Sequence, residues 1–271
     1  MRLHRNYNEK TFENQRVDAI ISERLTSSPN AIDIYGFCGM SSINEFAQYG
    51  RLNTEMIGKV KSNRLLLSYA RDISLGLADV HDIGYAKGHD NGNEETSSIV
   101  HGDINGIKNL MLTDNQRIKI HDFNRASVSI LFSSLVFKLY AMFSDTCFVF
   151  QLMRWDFDKN ECCKGFRFCK KKSCNQLSPE ECEGKPWGKT EFKSERTEVY
   201  HLGNLLSALL IKSGILYAGN SDRAIQAITK ARNDAYTFDV NARPRARDIA
   251  TNLDEAYHKY IMHYLNTTNY K

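Results

Sequence analysis

Between residues 11 and 25, Phe12, Val17, Ile20, Ile21 and Leu25 recur at helical spacing, and Pro29 with Asn30 ends that helix. Two strand-like runs follow, AIDIYGFCG (31–39) and SSINEFA (41–47), separated by glycine. Residues 64–83 form a strongly amphipathic helix whose apolar face is Leu66, Tyr69, Ala70, Ile73, Leu77 and Val80. The Gly-, Asn- and Ser-rich stretch 84–98 reads as a flexible surface loop. Beyond it, SIVHGDINGIKNLMLTDNQRIKIHDFN alternates short β-like runs with turns. From residue 195 onward three stretches, 195–214, 222–235 and 245–265, return to the helical period. A small strand-bearing part followed by a helical part predicts an α+β chain in two lobes, divided near residue 47, with no internal repeat.

Composition changes this picture little. At 271 residues the chain can bury a sizeable core without staples. A net charge of +4 is too small and too scattered to predict a nucleic-acid partner. Seven cysteines, an odd number, follow a polar N-terminus without an apolar signal core, so the thiols read as reduced and the chain as intracellular. Four of them fall in CCKGFRFCKKKSC, which has no Cys-x-x-Cys knuckle for zinc and reads as free thiols in a loop.

The chemistry concentrates in residues 101–124. Phosphoryl transfer needs a base for the attacking hydroxyl, oxygen ligands for Mg²⁺, and cations on the phosphates. His101-Gly102-Asp103 is followed by Asn109 and then by Asp122-Phe123-Asn124. Between them, LML and RIKI read as a hairpin that brings Asp103, Asn109 and Asp122 to one end. The run IVHGDINGIKNLML…IKIHDFN resembles the catalytic loop and metal-binding segment of the protein kinases. That resemblance implies ATP and Mg²⁺ as cofactors, Asp103 as catalytic base, Asn109 and Asp122 as metal holders, and His101 as a structural support. SPEE at 178–181 resembles the A-P-E motif, EVYHLG at 198–203 the start of the buried helix, and NARPRARDI at 241–249 the arginine-bearing stretch near the domain end. By the same resemblance Glu180 and Arg243 would form a buried ion pair, and Glu45-Phe46-Ala47 would be the adenine-binding hinge. The likeness covers about residues 12–265, and five motifs in order make it specific. It implies a two-lobed kinase-like fold: a partial N-lobe of one helix and two strands over 1–47, and a mainly helical C-lobe over 48–271.

The departures are as informative. Gly102 replaces the arginine that would meet an activating phosphate. Asn105 stands where a phosphate-contacting lysine is common, with Lys108 nearby as a substitute. Asn109 follows Asp103 by six residues instead of five, which predicts a bulge. Asn124 replaces a glycine and its backbone freedom. No G-x-G-x-x-G loop and no V-A-I-K strand precedes the first helix. Asp18, or second Glu23, aligns with the helical acid that would pair with the strand's lysine, and without that lysine either is expected to be a solvated surface charge.

Residues 128–151, VSILFSSLVFKLYAMFSDTCFVFQ, break the pattern with an apolar run whose only charges are Lys138 and Asp145. Those charges interrupt the ~20 apolar residues of a membrane span, so no membrane association is expected. Val-Ser can be encoded by GTAAGT and Phe-Gln by TTTCAG, the ends of an intron. The segment therefore reads as a retained intron, and deleting it joins DFNRAS to LMRWDF. The resulting expectation is a protein kinase domain that phosphorylates a protein Ser/Thr or Tyr hydroxyl, the chain as written being inactive. The alternatives are a pseudokinase scaffold and, third, a small-molecule phosphotransferase of the aminoglycoside or choline type, against which SPEE and NARPRARDI argue.

Overall fold

The computed structural model describes residues 9–83, 98–129, 154–156, 161–163, 194–214 and 222–268. In chain order their elements are α1 (Glu9–Arg24), β1 (Ile34–Cys38), β2 (Ser41–Asn44), β3 (Gly50–Arg51), α2 (Thr54–Gly58), α3 (Asn63–Asp82), β4 (Ser98–Val100), β5 (Leu110–Leu112), β6 (Ile118–Ile120), β7 (Ser127–Ser129), β8 (Arg154–Asp156), β9 (Glu161–Cys163), α4 (Glu195–Lys212), α5 (Arg223–Ala235) and α6 (Ala246–Thr268). The chain is α+β, with small sheets whose strands pair antiparallel: β1–β2, β3–β5–β6, β4–β7 and β8–β9. The strands of the two early runs meet directly at the Gly39–Met40 turn but are shorter at their outer ends than the sequence predicts, β1 starting at Ile34 and β2 ending at Asn44.

Helix α3 is the hub. Ser62 caps its start, accepting from Leu65 N at 3.3 Å. Its apolar residues Leu66, Leu67, Ala70, Ile73, Leu77 and Val80 are buried and pack against α6, α5 and the β5–β6 hairpin. Gly76 allows the backbone to close on the sheet. A Cβ there would stand 2.8 Å from Asn30 O and 2.9 Å from the Ile120 side chain. Asp72, on the same helix, grips the hairpin's second strand. It receives Arg117 Nε at 2.7 Å and Nη2 at 2.8 Å, and Ile118 N at 3.2 Å.

Helices α4, α5 and α6 follow the three predicted stretches closely. Ser194 caps α4 by accepting from Thr197 N at 3.1 Å, and Asp222 caps α5 through Ala224 N at 2.7 Å. The short helix α2 was not legible as a period, since five residues hold little more than one turn; Asn53 starts it by accepting from Met56 N at 2.9 Å. Most of the loop expected at 84–98 and of the apolar insertion at 128–151 lies outside the described residues. Ser98 is the first residue of β4, and residues 128–129 end β7.

Arg243 is fully buried. Glu180, its expected partner, lies outside the described residues. The guanidinium donates to Thr237 O at 2.9 Å and Arg196 O at 2.6 Å, and stands 5.2 Å from the Tyr200 ring centre. Arg196 in turn donates to Arg243 O. Arg243→Ala should therefore destabilise the fold by about 3 kcal/mol, because it empties a fully buried side-chain position and leaves the Thr237 and Arg196 carbonyls without this donor. Arg245→Ala should cost under about 1 kcal/mol, since its contacts to Glu195 and Asp82 are partly solvated. Chemical denaturation of both variants checks this; equal shifts would remove Arg243 from the core's supports.

Candidate functional site

The site is built on the open end of the β5–β6 hairpin. Leu110 pairs with Ile120, and His121 N donates to Asn109 O at 3.1 Å, so Asn109 and Asp122 leave the hairpin side by side. The extra residue between Asp103 and Asn109 is absorbed by a single 3₁₀ turn over Ile107–Asn109. Asn109 Nδ2 donates to Asp103 O at 2.8 Å, which ties the loop to the hairpin and leaves the amide oxygen as its acceptor. Asp122 has φ +70°, a left-handed conformation that is strained for an aspartate, and Asn124 Nδ2 donates to its carboxylate. Asn124 so uses its side chain to hold the residue two positions back. Asn105 is half-buried in the turn.

Asp103 is nearly buried, and both of its oxygens are paired. Lys108 Nζ lies 2.8 Å from Oδ2 and Arg125 Nη1 lies 2.9 Å from Oδ1. Burial raises the carboxyl's pKa, but the two cations prevail and hold it below the usual carboxylate range. His101 is buried against Phe123, ring centres 5.1 Å apart. Its Nδ1 accepts from Asp103 N at 3.3 Å, so Nε2 carries the proton donated to His121 O at 3.1 Å. Burial keeps its pKa below the ordinary value, and a neutral ring matches both bonds.

The loop is gripped from behind by α4. Glu198, fully buried, accepts from His101 N at 2.8 Å and Gly102 N at 2.6 Å. His81, at the end of α3, bonds the same carboxylate at 3.0 Å and faces Glu195 at an ion-pair distance of 3.7 Å. Burial opposes its charge, yet the two glutamates raise its pKa to about 9. Burial likewise opposes ionisation of Glu195, but His81 and Arg245 bring its pKa down to about 2. Sequence inspection missed His81, Glu195 and Arg125. The one available signal was two glutamates, i and i+3, opening an otherwise apolar helix.

Gly102 has φ +80°, and a Cβ built on it would fall 2.1 Å from Arg125 O. The glycine is thus required where the resemblance implied only a lost arginine, since the segment after Asn124 lies directly on the loop backbone. Strand β7 then pairs with β4, Val100 opposite Ser127.

Asp18 departs from its expectation. It is largely buried beside the Asp122–Phe123 backbone, not a solvated charge, whereas Glu23 is exposed. Burial raises its pKa to about 6, the Phe123 amide opposing and Asp122 adding, and its Oδ1 has no hydrogen-bond partner among the described residues. A carboxyl with a folded pKa above its ordinary 3.8 loses stability as pH rises through that window, and the penalty is complete above about 6. Asp18→Asn should accordingly stabilise the fold at pH 8 by up to about 3 kcal/mol, and by nothing below pH ~3. Denaturant titrations at both pH values check this; equal gains at both would deny Asp18 its charge penalty.

The expected hinge residues follow β2. Glu45 is committed to Lys119 at 2.6 Å and to Asp33 N at 3.2 Å, Phe46 is 82% exposed, and Ala47 is buried with its carbonyl accepting from Gly50 N at 3.0 Å.

Compared with known proteins, the chain matches no family model and no curated protein. Among the described residues no cluster of three or more His, Cys, Asp or Glu side chains could hold a metal, and no helix is long and apolar enough to cross a membrane. A site built from Asn109 and Asp122 would offer one amide and one carboxylate oxygen. That hard donor pair suits Mg²⁺, which keeps waters and phosphate oxygens in its remaining positions.

Proposed function

We propose that the chain carries the catalytic loop and metal-binding segment of a protein-kinase-like domain, transferring the γ-phosphoryl group of ATP to a protein hydroxyl. The observation that carries this reading is the fixed triad at the hairpin end: Asp103, Asn109 bonded to its carbonyl, and Asp122 in a left-handed turn. The order of the further motifs along the sequence supports it. Asp103 would orient the substrate hydroxyl and receive its proton. The hydroxyl oxygen bonds to the γ-phosphorus while that phosphorus parts from the β,γ-bridging oxygen, and ADP leaves with the electron pair. Asn109 and Asp122 would hold Mg²⁺, which neutralises phosphate charge when bound. Lys108 would stand in for the lysine that Asn105 replaces.

Asp18 has the burial and the vacant oxygen of an acid suited to a cationic partner near the phosphates. A pseudokinase scaffold is the second reading, favoured by the pairing of both Asp103 oxygens. The test is calorimetric titration of Mg·ATP into the chain joined behind a phosphate-binding lobe. Asp122→Ala should abolish the Mg²⁺-dependent part of the binding; undiminished affinity would withdraw Asp122 as the metal holder.

A further inference from the structure

One of the two cations at the reacting end of this site comes from outside the loop. Arg125 follows the Asp122-Phe123-Asn124 turn, and its guanidinium reaches back to Asp103 Oδ1 at 2.9 Å. Lys108 holds the other oxygen at 2.8 Å. Two cations thus flank one carboxylate. Both are open to solvent, the Lys108 side chain at 54% and Arg125 at 35%, whereas Asp103 is at 6%. Among the described residues neither cation has a second carboxylate within ion-pair distance.

The backbone fixes the arrangement. Arg125 O occupies the space a Cβ of residue 102 would need, Ala126 N donates to Phe123 O at 2.8 Å, and β7 is zipped to β4 from Ser127 onward. The guanidinium therefore springs from an anchored turn, with nitrogens to spare beyond the one that meets Asp103.

We propose that Arg125 and Lys108 form an anion subsite that binds the phosphoryl group in transfer, with Arg125 the principal donor. The proposal rests on the phosphotransferase reading above. By formal charge the two cations balance the carboxylates of Asp103 and Asp122, so an anion enters once a divalent cation adds its charge at Asp122. A planar guanidinium presents paired donors to two oxygens of a tetrahedral oxyanion, a geometry a lysine lacks. The subsite also gives Gly102 a role: it admits the segment that delivers Arg125.

The experiment uses the full chain and inorganic phosphate as probe, followed by ³¹P NMR with and without Mg²⁺. Wild type should bind phosphate in a Mg²⁺-enhanced manner. Arg125→Gln should weaken it about tenfold, the worth of one charge-assisted contact, and Arg125→Lys by less. Arg64→Gln, an equal charge loss on the exposed start of α3, should change nothing. Thermal unfolding confirms that each variant is folded. Binding that survives Arg125→Gln but fails in Asp122→Ala overturns the subsite and leaves the metal reading standing. Binding that needs Arg125 yet ignores Mg²⁺ and Asp122→Ala keeps the subsite and overturns the phosphotransferase reading. Absence of phosphate binding by the wild type overturns the subsite.

Discussion

Glu198→Ala should destabilise the protein by about 3–5 kcal/mol and free the backbone of the 101–103 loop. The carboxylate is fully buried and serves three donors at once: His101 N, Gly102 N and His81 Nε2. Removing it leaves two buried amides without an acceptor and a buried imidazolium without its closest counter-charge. The amide hydrogens of His101 and Gly102 should exchange at rates set by local opening, well before global unfolding. Glu198→Gln, which keeps one acceptor oxygen, should lose less. The same network predicts an alkaline limit. His81 is raised above its ordinary 6.5 to about 9, so its contribution is full below about 6.5 and is lost as pH rises through 9. That decline should be shallower in Glu198→Ala. Wild-type exchange rates at His101 and Gly102 in the variant would show that α4 does not hold the loop.

Asp103→Asn should lower phosphoryl transfer by ~10²–10⁴-fold in a form of the protein carrying a phosphate-binding lobe ahead of α1. Asparagine preserves the shape and the carbonyl that receives Asn109 Nδ2. It cannot take a proton, and it surrenders both ion pairs, to Lys108 and to Arg125. Nucleotide affinity should stay close to wild type, because Asp122 and Asn109 are untouched. A radiolabelled-ATP transfer assay reads the first quantity and calorimetry the second. Transfer at the wild-type rate would move the base elsewhere, and nucleotide binding with no measurable chemistry in either protein would favour the scaffold reading.

These two substitutions mark how far the sequence could be read. Asp103 was visible because its neighbours fall at informative distances along one short stretch. The hairpin that gathers them is local, with Leu110 opposite Ile120 only ten positions away. Glu198 is the contrary case, since it meets Gly102 across 96 positions of sequence. Its helix was predicted and its motif noticed, but no spacing rule says which backbone amides a buried carboxylate will serve. The His81 partnership was equally hidden, because a histidine ending an apolar helix reads the same whether it faces solvent or two glutamates.

Asp18 and Gly102 were misjudged for related reasons. A charge on a helix with mixed faces looks solvated until the opposite wall is known, and here that wall is the Asp122–Phe123 backbone. A glycine in place of arginine looks like a loss until the residue filling the empty space is seen to be Arg125. The sequence by itself determined the α+β order of the main elements, the apolar face of α3, the helical period of α4 to α6, and the local hairpin that carries Asn109 and Asp122. Period and turn chemistry act within a few residues, so such features are written along the chain. Tertiary structure alone decided that α4 holds the loop, that Asp18 is largely enclosed beside Asp122 and Phe123, and that Arg125 meets Asp103. Those outcomes depend on which surfaces exclude water from one another, and that is fixed only when distant segments pack.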